Sequence, residues 1–428
     1  MNTNTKVSRR QFLKRTAAAG AAFAFPAIIP ARVLGADAPS NKIVMGAIGV
    51  GSMGSGNMNS FLGMPEVQFV GICDVDRNHR DRAKETVDKR YGTKDCATYV
   101  DYRDLIGRGD LDAICLALPD HWHAIPVIAA ARAGIDMYGE KPLARSIREG
   151  RAMSDAVKRY GRIWQTGSWQ RSVGTFRKAA ELVRNGRIGK VTRVEVGLPG
   201  GPGPRPYPPL EKPPENLDWN FWLGPAPWRE YSNFGPHWNW RWILDYSGGQ
   251  LTDWAGHHID IAHWGLGLDY TGPSEIEPKG AQYPETGIYD VPFDYRFVCR
   301  YANGVEIEVS NQFPMGAKWY GDKGWVHVNR GMLDAEPKHI LKDVIGPDEI
   351  QLYKSDNHQR NFIECVKSRQ KTVTPIEVAH RSISVGLLGE IAMLTGRTIK
   401  WNPETEEISG DSEASALLGR AYREPWVL

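Results

Sequence analysis

Residues 42–54, KIVMGAIGVGSMG, place an apolar strand directly before the pattern Gly49-x-Gly51-x-x-Gly54. In a strand–turn–helix unit, the first glycine allows a tight turn and the second lets the backbone approach a pyrophosphate, while the third permits close packing of helix on strand. The free N–H groups and the dipole at the start of the helix favour the phosphates. The stretch therefore predicts a dinucleotide-binding unit.

Asp74 is the predicted ligand of the ribose hydroxyls. It lies 20 residues after Gly54, at the end of a second apolar strand, 67–73, where nucleotide-binding units carry an acid. Because a carboxylate repels a 2′-phosphate, Asp74 favours NAD over NADP, and Arg77 keeps NADP as the alternative.

Strands and helices alternate throughout residues 41–163. Predicted strands occupy 42–48, 67–73, 113–118 and 135–139, and predicted helices occupy 54–63, 77–91 and 124–133. Continuous apolar strands separated by helices indicate a parallel sheet that is covered on both faces. We therefore predict an α/β protein in which residues 41–163 form a doubly wound Rossmann domain.

Residues 164–428 show a different pattern and are predicted to form a second, α+β domain. Strands are predicted at 191–196, 295–301 and 305–311, and the last two flank Asn303-Gly304, a strong hairpin signal. Helices are predicted at 247–266, 357–368 and 376–394. The domain thus combines a largely antiparallel open sheet with helices, of which the last can pack back on the Rossmann domain.

Asp253 and His257 lie four residues apart on the predicted helix 247–266, so they share one face. A carboxylate beside an imidazole can orient a general base, or it can bind a second hydroxyl of the substrate. Lys141 follows a predicted strand at the sheet edge where ligands bind. An ammonium there can donate to an alcohol oxygen and keep a nearby imidazole neutral by like-charge repulsion. These three residues predict an alcohol-oxidation site.

The same helix also allows a metal-site interpretation, because Asp253, His257, His258, Asp260 and His263 lie within eleven positions. On a regular helix, however, His258 points about 100° away from His257. The five side chains therefore do not share one face, and we predict no metal.

The amino-terminal residues predict export. Ser8-Arg9-Arg10-Gln11-Phe12-Leu13-Lys14 precedes a weakly apolar run, 16–29, and then Ala36-Asp37-Ala38. This order is typical of a twin-arginine signal peptide, here 1–38, and the alternative is a disordered basic tail. Prolines interrupt the run, which is too short to span a bilayer. We expect a periplasmic or otherwise exported protein, carried by the twin-arginine machinery. It would hold its NAD tightly, because free cofactor is not expected outside the cytoplasm.

Charge and cysteine content exclude several classes of partner and site. Residues 1–38 carry six basic residues and one acid, so without them the net charge of +3 becomes −2. A nearly neutral protein gives no reason to expect nucleic acid or an anionic membrane as a partner. Five scattered cysteines without C-x-x-C spacing indicate buried small side chains and not a disulfide framework.

Three motifs in order resemble the Gfo/Idh/MocA oxidoreductase family. They are Gly49-x-Gly51-x-x-Gly54, Glu140-Lys141-Pro142 and Gly248-Gly249-x-Leu251-x-Asp253-x-x-x-His257-x-x-Asp260. The resemblance extends from residue 41 to the end of the chain. Asn357-His358-Gln359-Arg360-Asn361-Phe362 and Glu377-x-x-His380-Arg381 are similar to the carboxyl-terminal segment of the exported bacterial branch.

The resemblance implies site residues. Lys141 matches the family lysine that often precedes a cis proline, and Asp253 and His257 match residues of inositol and sugar dehydrogenases. The segment 167–171 matches a region that reaches the nicotinamide, while Asp120 stands where many members have asparagine. With the strand end 118–123, the predicted cofactor contacts are Gly49, Gly51, Ser52, Met53, Gly54, Asp74, Pro119, Asp120, His123, Glu140, Lys141, Trp169 and Arg171.

The family implies pyranose sugars, sugar acids or cyclitols as substrates, and homo-oligomers packed through the second sheet. We predict an exported NAD-dependent oxidoreductase that acts on a secondary alcohol of such a compound. The first alternative is a redox-neutral glycoside hydrolase or lyase, or a sugar–sugar hydride exchanger, using bound NAD. The second is a carbohydrate-binding protein with vestigial activity. Six of the 15 tryptophans lie within 219–242; we expect most to fasten a loop to the core and one or two to line the substrate cleft.

Overall fold

The computed structural model describes residues 42–428, so the predicted export signal lies outside the described residues. Six parallel strands form the first sheet, in the order β3-β2-β1-β4-β5-β6 of doubly wound nucleotide-binding domains. The strands are β1 Ile43–Ile48, β2 Val67–Cys73, β3 Ala97–Tyr99, β4 Ala113–Leu116, β5 Asp136–Gly139 and β6 Trp164–Thr166. This confirms the predicted fold class, and it places the crevice where ligands bind beside β1 and β4, at which the strand order reverses.

Helices connect these strands. They are α1 Ser52–Leu62, α2 Arg77–Tyr91, α3 Tyr102–Ile106, α4 Ala124–Arg132 and α5 Ile147–Arg159. Helix α2 shows why the boundaries lie where they do: the Asp76 side chain accepts from the Asn78 N–H at its start, and Gly92 adopts a left-handed conformation (φ 70°) at its end. Strand β1 is buried at five of its six residues, which explains its continuous apolar sequence.

The second sheet has nine strands, in the order β13-β12-β11-β7-β10-β9-β8-β14-β15. They are β7 Val191–Gly197, β8 Glu275–Gln282, β9 Asp294–Arg300, β10 Glu306–Ser310, β11 Gly316–Gly321, β12 Gly324–Asn329, β13 Met332–Glu336, β14 Ile399–Asn402 and β15 Glu407–Ile408. Only β7 and β10 pair in parallel, so the sheet is largely antiparallel, as predicted. The hairpin of β9 and β10 turns at the expected Asn303-Gly304, where Gly304 has φ 83°.

The helices of the second half are α6 Gly174–Arg184, α7 Trp219–Leu223, α8 Gly249–Trp254, α9 Asp260–Leu266, α10 His358–Ser368, α11 Ile376–Thr395 and α12 Ser412–Ala416. Helix α10 packs on α1 through Phe362 and Phe61, whose ring centroids lie 5.8 Å apart. Within residues 42–428, no helix combines the length and the apolarity needed to cross a membrane.

Two sequence-based boundaries differ from the structure. The division predicted after residue 163 falls one strand too early, because β6 pairs with β5 in the first sheet; a three-residue strand is too short to show periodicity. The helix predicted over 247–266 is interrupted by a π-helical turn, Ala255–Ile259, between α8 and α9.

Residues 216–242, which we call the strap, cross from the second half of the chain to the edge of the first sheet. The Arg77 N–H donates to the Asn216 carbonyl at 2.7 Å, and the Asp218 N–H donates to the Val75 carbonyl at 3.1 Å. Trp219 and Trp222 stack at 4.9 Å within a separate aromatic core. Most of the strap's tryptophans thus fasten the loop, as expected.

Candidate active site

A cavity of about 650 Å³ lies between the carboxyl edge of the first sheet and the strap. Gly49, Gly51 and Gly54 line it, and so do Lys141 and Asp253. One cavity therefore joins the predicted nucleotide site to the predicted chemical site.

The glycine turn has the geometry that a pyrophosphate requires. Gly49 has φ 77°, and a Cβ there would lie 2.3 Å from the Ala117 carbonyl oxygen. A Cβ on Gly54 would lie 1.9 Å from the Gly49 carbonyl oxygen, so only glycine lets α1 pack this closely. No side chain caps the start of α1. Its free N–H groups remain available for an anion.

Asp74 lines the cavity at the end of β2 and also organises the turn. Its Oδ2 accepts from the Val50 N–H at 2.8 Å, and its Oδ1 accepts from the Asp76 N–H at 2.9 Å. The carboxylate therefore holds the glycine loop and lines the cavity, and its role as the ribose ligand stays a prediction.

The strap forms the opposite wall of the cavity. Its lining side chains are Phe221, Trp222, Pro236, His237, Trp240 and Arg241. His237 Nε2 lies 3.1 Å from Asp76 Oδ2, and Asn216 donates to the other oxygen of the same carboxylate at 2.9 Å. Sequence analysis expected one or two of these tryptophans to line a cleft, as Trp222 and Trp240 do. It did not place the rest of the wall, because no local pattern shows which sheet edge a long loop will cover.

The predicted cofactor contacts fall into two groups. Those that line the cavity are Gly49, Gly51, Ser52, Met53, Gly54, Asp74, Pro119, Glu140 and Lys141. Asp120, His123, Trp169 and Arg171 do not line it, and each has a different environment.

Asp120 and His123 are buried behind the cavity wall and are not placed as cofactor contacts. Asp120 Oδ2 accepts from the Ser247 hydroxyl at 2.6 Å, and burial raises the pKa of this carboxyl to about 6. The two ring nitrogens of His123 lie 2.8 Å from the carbonyl oxygens of Pro142 and Leu118. His123 joins the turns that follow β4 and β5, whereas Asp120 joins the first of these turns to Ser247 and has no partner for Oδ1 among the described residues.

Arg171 is likewise not a cofactor contact. Its side chain is 2% exposed and binds Asp260 through Nε at 2.7 Å and Asp269 through Nη2 at 2.8 Å. A buried guanidinium needs such carboxylates, and the two acids come from α9 and the loop after it. Trp169, by contrast, is 38% exposed and meets the His257 ring edge-to-face at 6.2 Å, on the catalytic side.

Lys141 and Asp253 form an ion pair in the cavity, with Lys141 Nζ donating to Asp253 Oδ1 at 2.8 Å. The side chains are 13% and 16% exposed, so a ligand can still reach them. Gly256 allows the close approach, because a Cβ there would lie 3.1 Å from the Lys141 Cβ. The peptide bond between Lys141 and Pro142 is cis.

Glu140, the residue before the lysine, is buried in the same wall. Its Oε1 accepts from the Asn57 side-chain amide at 2.8 Å, and burial raises the pKa of the carboxyl. Gly167 packs directly against this carboxyl: a Cβ there would lie 2.6 Å from Oε1. Glu140 therefore ties helix α1 to the strand that presents Lys141.

His257 lies in the π-helical turn and is 3% exposed. Burial lowers its pKa well below 6.5, and the positive charges of Lys141 and Arg330 lower it further. Its Nδ1 has no hydrogen-bond partner among the described residues. The expectation that Asp253 orients this imidazole is therefore wrong. The wide turn changes the angle between residues four apart, and the carboxylate binds Lys141 instead.

Three of the five side chains of the metal-site interpretation bind different partners, while both ring nitrogens of His258 and Nδ1 of His257 have none among the described residues. Asp253 pairs with Lys141, Asp260 pairs with Arg171, and His263 Nε2 lies 2.6 Å from the Tyr301 hydroxyl. Within residues 42–428, the potential ligand atoms that do converge within 4.8 Å belong to Asp76, His79 and His237. They come from α2 and the strap, which no spacing rule would connect.

Residues 43–168 match the oxidoreductase family's NAD-binding Rossmann fold, and residues 206–428 match its C-terminal alpha/beta domain. The chain belongs to the Gfo/Idh/MocA oxidoreductase family. The glycine turn, Asp74 and the cavity beside them lie within the NAD-binding half of this family's architecture.

Curated relatives of this Gfo/Idh/MocA chain are similar over part of their length. An uncharacterized oxidoreductase, YrbE, of Bacillus subtilis is 26% identical over 242 residues, which cover 56% of this chain and 58% of the relative. An alpha-N-acetylgalactosaminidase of Shewanella oneidensis is 33% identical over 132 residues, which cover 30% of this chain and 28% of the relative. The chain thus spans between about a quarter and three-fifths of the length of these relatives.

A solved structure extends the likeness to both domains. Levoglucosan dehydrogenase in complex with NADH superposes with a TM-score of 0.61 at 19% identity, covering 83% of this chain and 98% of that chain. At this identity the match shows a common fold.

Proposed function

We propose that the protein is a nicotinamide-dependent oxidoreductase that oxidises or reduces a secondary alcohol of a sugar, sugar derivative or cyclitol. The observation that carries this proposal is the shared cavity, in which a dinucleotide-binding glycine turn and the Lys141–Asp253 pair face one space. The similarity in fold to levoglucosan dehydrogenase supports a sugar as the substrate. The presence of Lys141, Asp253 and His257 argues against a purely carbohydrate-binding role.

The residues present fit a dinucleotide. The turn at Gly49 and Gly54 leaves no room for a Cβ, and the start of α1 has no side-chain cap. Asp74 offers acceptors for ribose hydroxyls and favours NAD over NADP. Glycines at the turn and α1 would hold the pyrophosphate, and Lys141 would mark the nicotinamide end. When bound, a nicotinamide supplies a hydride acceptor for the substrate carbon.

Lys141 and His257 perform the proton chemistry in this proposal. The Lys141 ammonium, held by Asp253 at 2.8 Å, donates to the substrate oxygen and stabilises its developing negative charge. His257 is neutral near pH 7 because burial and Lys141 lower its pKa, so a ring nitrogen can accept the hydroxyl proton. Asp253 positions the ammonium and offers its second oxygen to a neighbouring hydroxyl.

We further propose that the cofactor stays bound and that the protein is exported. The strap covers the cavity with six side chains and is tied to β2 and α2 by backbone and side-chain hydrogen bonds, which would slow release of a nucleotide. Retention suits a protein with the twin-arginine pattern in residues 1–38, because free cofactor would not be replenished after export. A homo-oligomer packed through the second sheet remains part of the proposal.

A second candidate is redox-neutral glycoside cleavage with the same residues and a retained NAD. The similarity to an alpha-N-acetylgalactosaminidase over 132 residues favours it. In this case Lys141 and His257 serve a temporary oxidation that activates the glycosidic bond, and the net reaction consumes no cofactor. Hydride exchange between two sugars would use the same retained cofactor.

The proposal is tested by the nucleotide content of the purified protein. The chain from residue 39 onward is purified without added cofactor and denatured, and the released nucleotide is measured. We expect about one NAD or NADH per chain, and then a screen of sugars and glycosides separates dehydrogenation from cleavage. An empty protein that turns over sugars only with added NAD would refute retention, and a protein that binds no nucleotide under any condition would refute the function.

A further inference from the structure

Arg330 occupies an unusual place beside the catalytic groups. It follows β12 in the turn that leads to β13, and its guanidinium lies between two indoles. Its Cζ is 4.6 Å from the ring centroid of Trp169 and 4.5 Å from that of Trp254. Two aromatic rings thus lie within cation–π distance of the guanidinium.

One edge of the guanidinium is also occupied. The side-chain amide of Gln170 is oriented so that it bonds to both Arg330 and His257. The amide oxygen accepts from Arg330 Nε at 3.1 Å, and the amide nitrogen donates to the His257 carbonyl at 3.2 Å. Gln170 is 1% exposed, so this amide is a rigid support. It fixes the direction of the guanidinium relative to the backbone of His257.

The two terminal nitrogens of Arg330 have no carboxylate partner within residues 42–428. The fully buried Arg171, by comparison, pairs with Asp260 and Asp269. Arg330 is an exposed residue that two indoles and one amide hold in place, and it forms no ion pair among the described residues. An arginine that is oriented but unpaired presents a fork of N–H donors that matches a carboxylate.

Arg330 lies on the His257 side of the site. It does not line the cavity that holds the glycine turn and the Lys141–Asp253 pair. Its charge lowers the pKa of His257, while partial burial lowers the pKa of Arg330 itself and the charge of Asp253 opposes that shift. Trp169, which stacks on Arg330, also meets the His257 ring. The guanidinium is therefore separated from the His257 ring by a single indole, through Trp169 and again through Trp254.

We propose that Arg330 binds an anionic substituent on the substrate ring, so that the protein prefers sugar acids to neutral sugars and cyclitols. This inference rests on the proposed function and narrows its substrate class. Carboxylate and phosphate oxygens both match the guanidinium fork. We choose the carboxylate because its single negative charge equals the single positive charge of Arg330.

Binding provides the first test, because it does not depend on catalysis. D-glucuronate, D-glucose and D-glucose 6-phosphate are titrated into the nucleotide-loaded protein by calorimetry. We expect D-glucuronate to bind about 10- to 100-fold more tightly than D-glucose, as for a charge-assisted bidentate contact. Equal affinity for the two would overturn the inference, and tighter binding of the phosphate would overturn the choice of a carboxylate.

Variants assign the preference to Arg330. Arg330→Gln should reduce the ratio of the two affinities to about one, and Arg330→Lys, which keeps the charge but loses the fork, should give an intermediate ratio. Lys318→Gln is the matched control: this cation lies over Tyr320 and Trp325 on the same sheet, away from His257, and its ratio should equal that of the unmodified protein. An unchanged ratio in folded Arg330→Gln would refute the assignment.

Kinetics distinguishes this inference from the proposed function. If the unmodified protein turns over D-glucuronate with a higher kcat/KM than D-glucose, and Arg330→Gln removes this difference, then the proposed function and the anion site at Arg330 are both supported. If neither sugar is oxidised or cleaved but D-glucuronate binds through Arg330, the proposed function fails and the anion site stands. Turnover of neutral sugars with no preference for acids would leave the function standing and refute the site.

Discussion

Replacing Lys141 with alanine removes the donor that faces the substrate oxygen. In the structure, Lys141 Nζ lies 2.8 Å from Asp253 Oδ1, and the two side chains are only 13% and 16% exposed. Loss of one such donor to a developing oxyanion raises the activation free energy by about 2.7–4 kcal/mol, which corresponds to a fall in kcat of about 10²- to 10³-fold. The variant also leaves Asp253 unpaired. Because the pair is partly exposed, this costs less than the ~3–5 kcal/mol of a fully buried pair.

The assay is the rate of substrate-dependent cofactor reduction in a single turnover, measured with thermal unfolding of the same preparation. We expect Lys141→Ala to remain folded and to keep its nucleotide, with the loss confined to the chemical step. Lys338→Ala is the matched control, since it removes a lysine from an exposed pair with Asp334 and should change neither rate nor Tm. Near-normal turnover in folded Lys141→Ala would refute the role of this lysine.

Three further predictions follow from the site. Gly54→Ala should lose bound nucleotide, because its Cβ would lie 1.9 Å from a carbonyl oxygen. Gly56→Ala should keep the nucleotide, because there is open space around its new Cβ. Loss of nucleotide in both variants would contradict the glycine-turn geometry. Burial and the charge of Lys141 lower the pKa of His257, so this base stays deprotonated as the pH falls. The value of kcat/KM should therefore stay level between about pH 7.5 and 6. A His257-dependent fall in kcat/KM centred near pH 6.5 would contradict the lowered pKa. Arg171→Met should lower the free energy of unfolding by about 3–5 kcal/mol. The variant should show a lower Tm, while the amount of nucleotide bound per folded chain stays the same. Loss of nucleotide without a change in Tm would instead indicate that Arg171 contacts the cofactor.

The nucleotide-binding half was predictable from local sequence. The glycine turn needs glycine for steric reasons that do not depend on the rest of the fold. Gly49 has φ 77°, and Gly54 packs directly against the Gly49 carbonyl. Asp74 follows directly from its strand, and Lys141 follows from the end of another. Each of these residues is placed by its own strand and the turn after it, so periodicity and turn chemistry were sufficient.

The chemical half depends on contacts between distant segments, which local patterns do not encode. The π-helical turn at Ala255–Ile259 altered the i,i+4 relation on which the pairing of Asp253 with His257 was based. Arg171 was placed near the cofactor by its position in the motif region, yet two acids from α9 and beyond, Asp260 and Asp269, bind it in the core. No sequence pattern identified Arg330 as a candidate site residue, because the indoles that contact it lie more than 70 residues away in the chain.

The most direct measurement is a single turnover of the nucleotide-loaded protein with D-glucuronate and D-glucose, followed by the near-ultraviolet absorbance of reduced nicotinamide. If Lys141, Asp253 and His257 carry hydride chemistry on a sugar alcohol, mixing with a substrate should change this absorbance by an amount equivalent to about one cofactor per chain. The change should be at least about 10²-fold slower in Lys141→Ala. A protein that cleaves or binds sugars with no absorbance change, or one in which the variant matches the unmodified rate, would contradict the assignment.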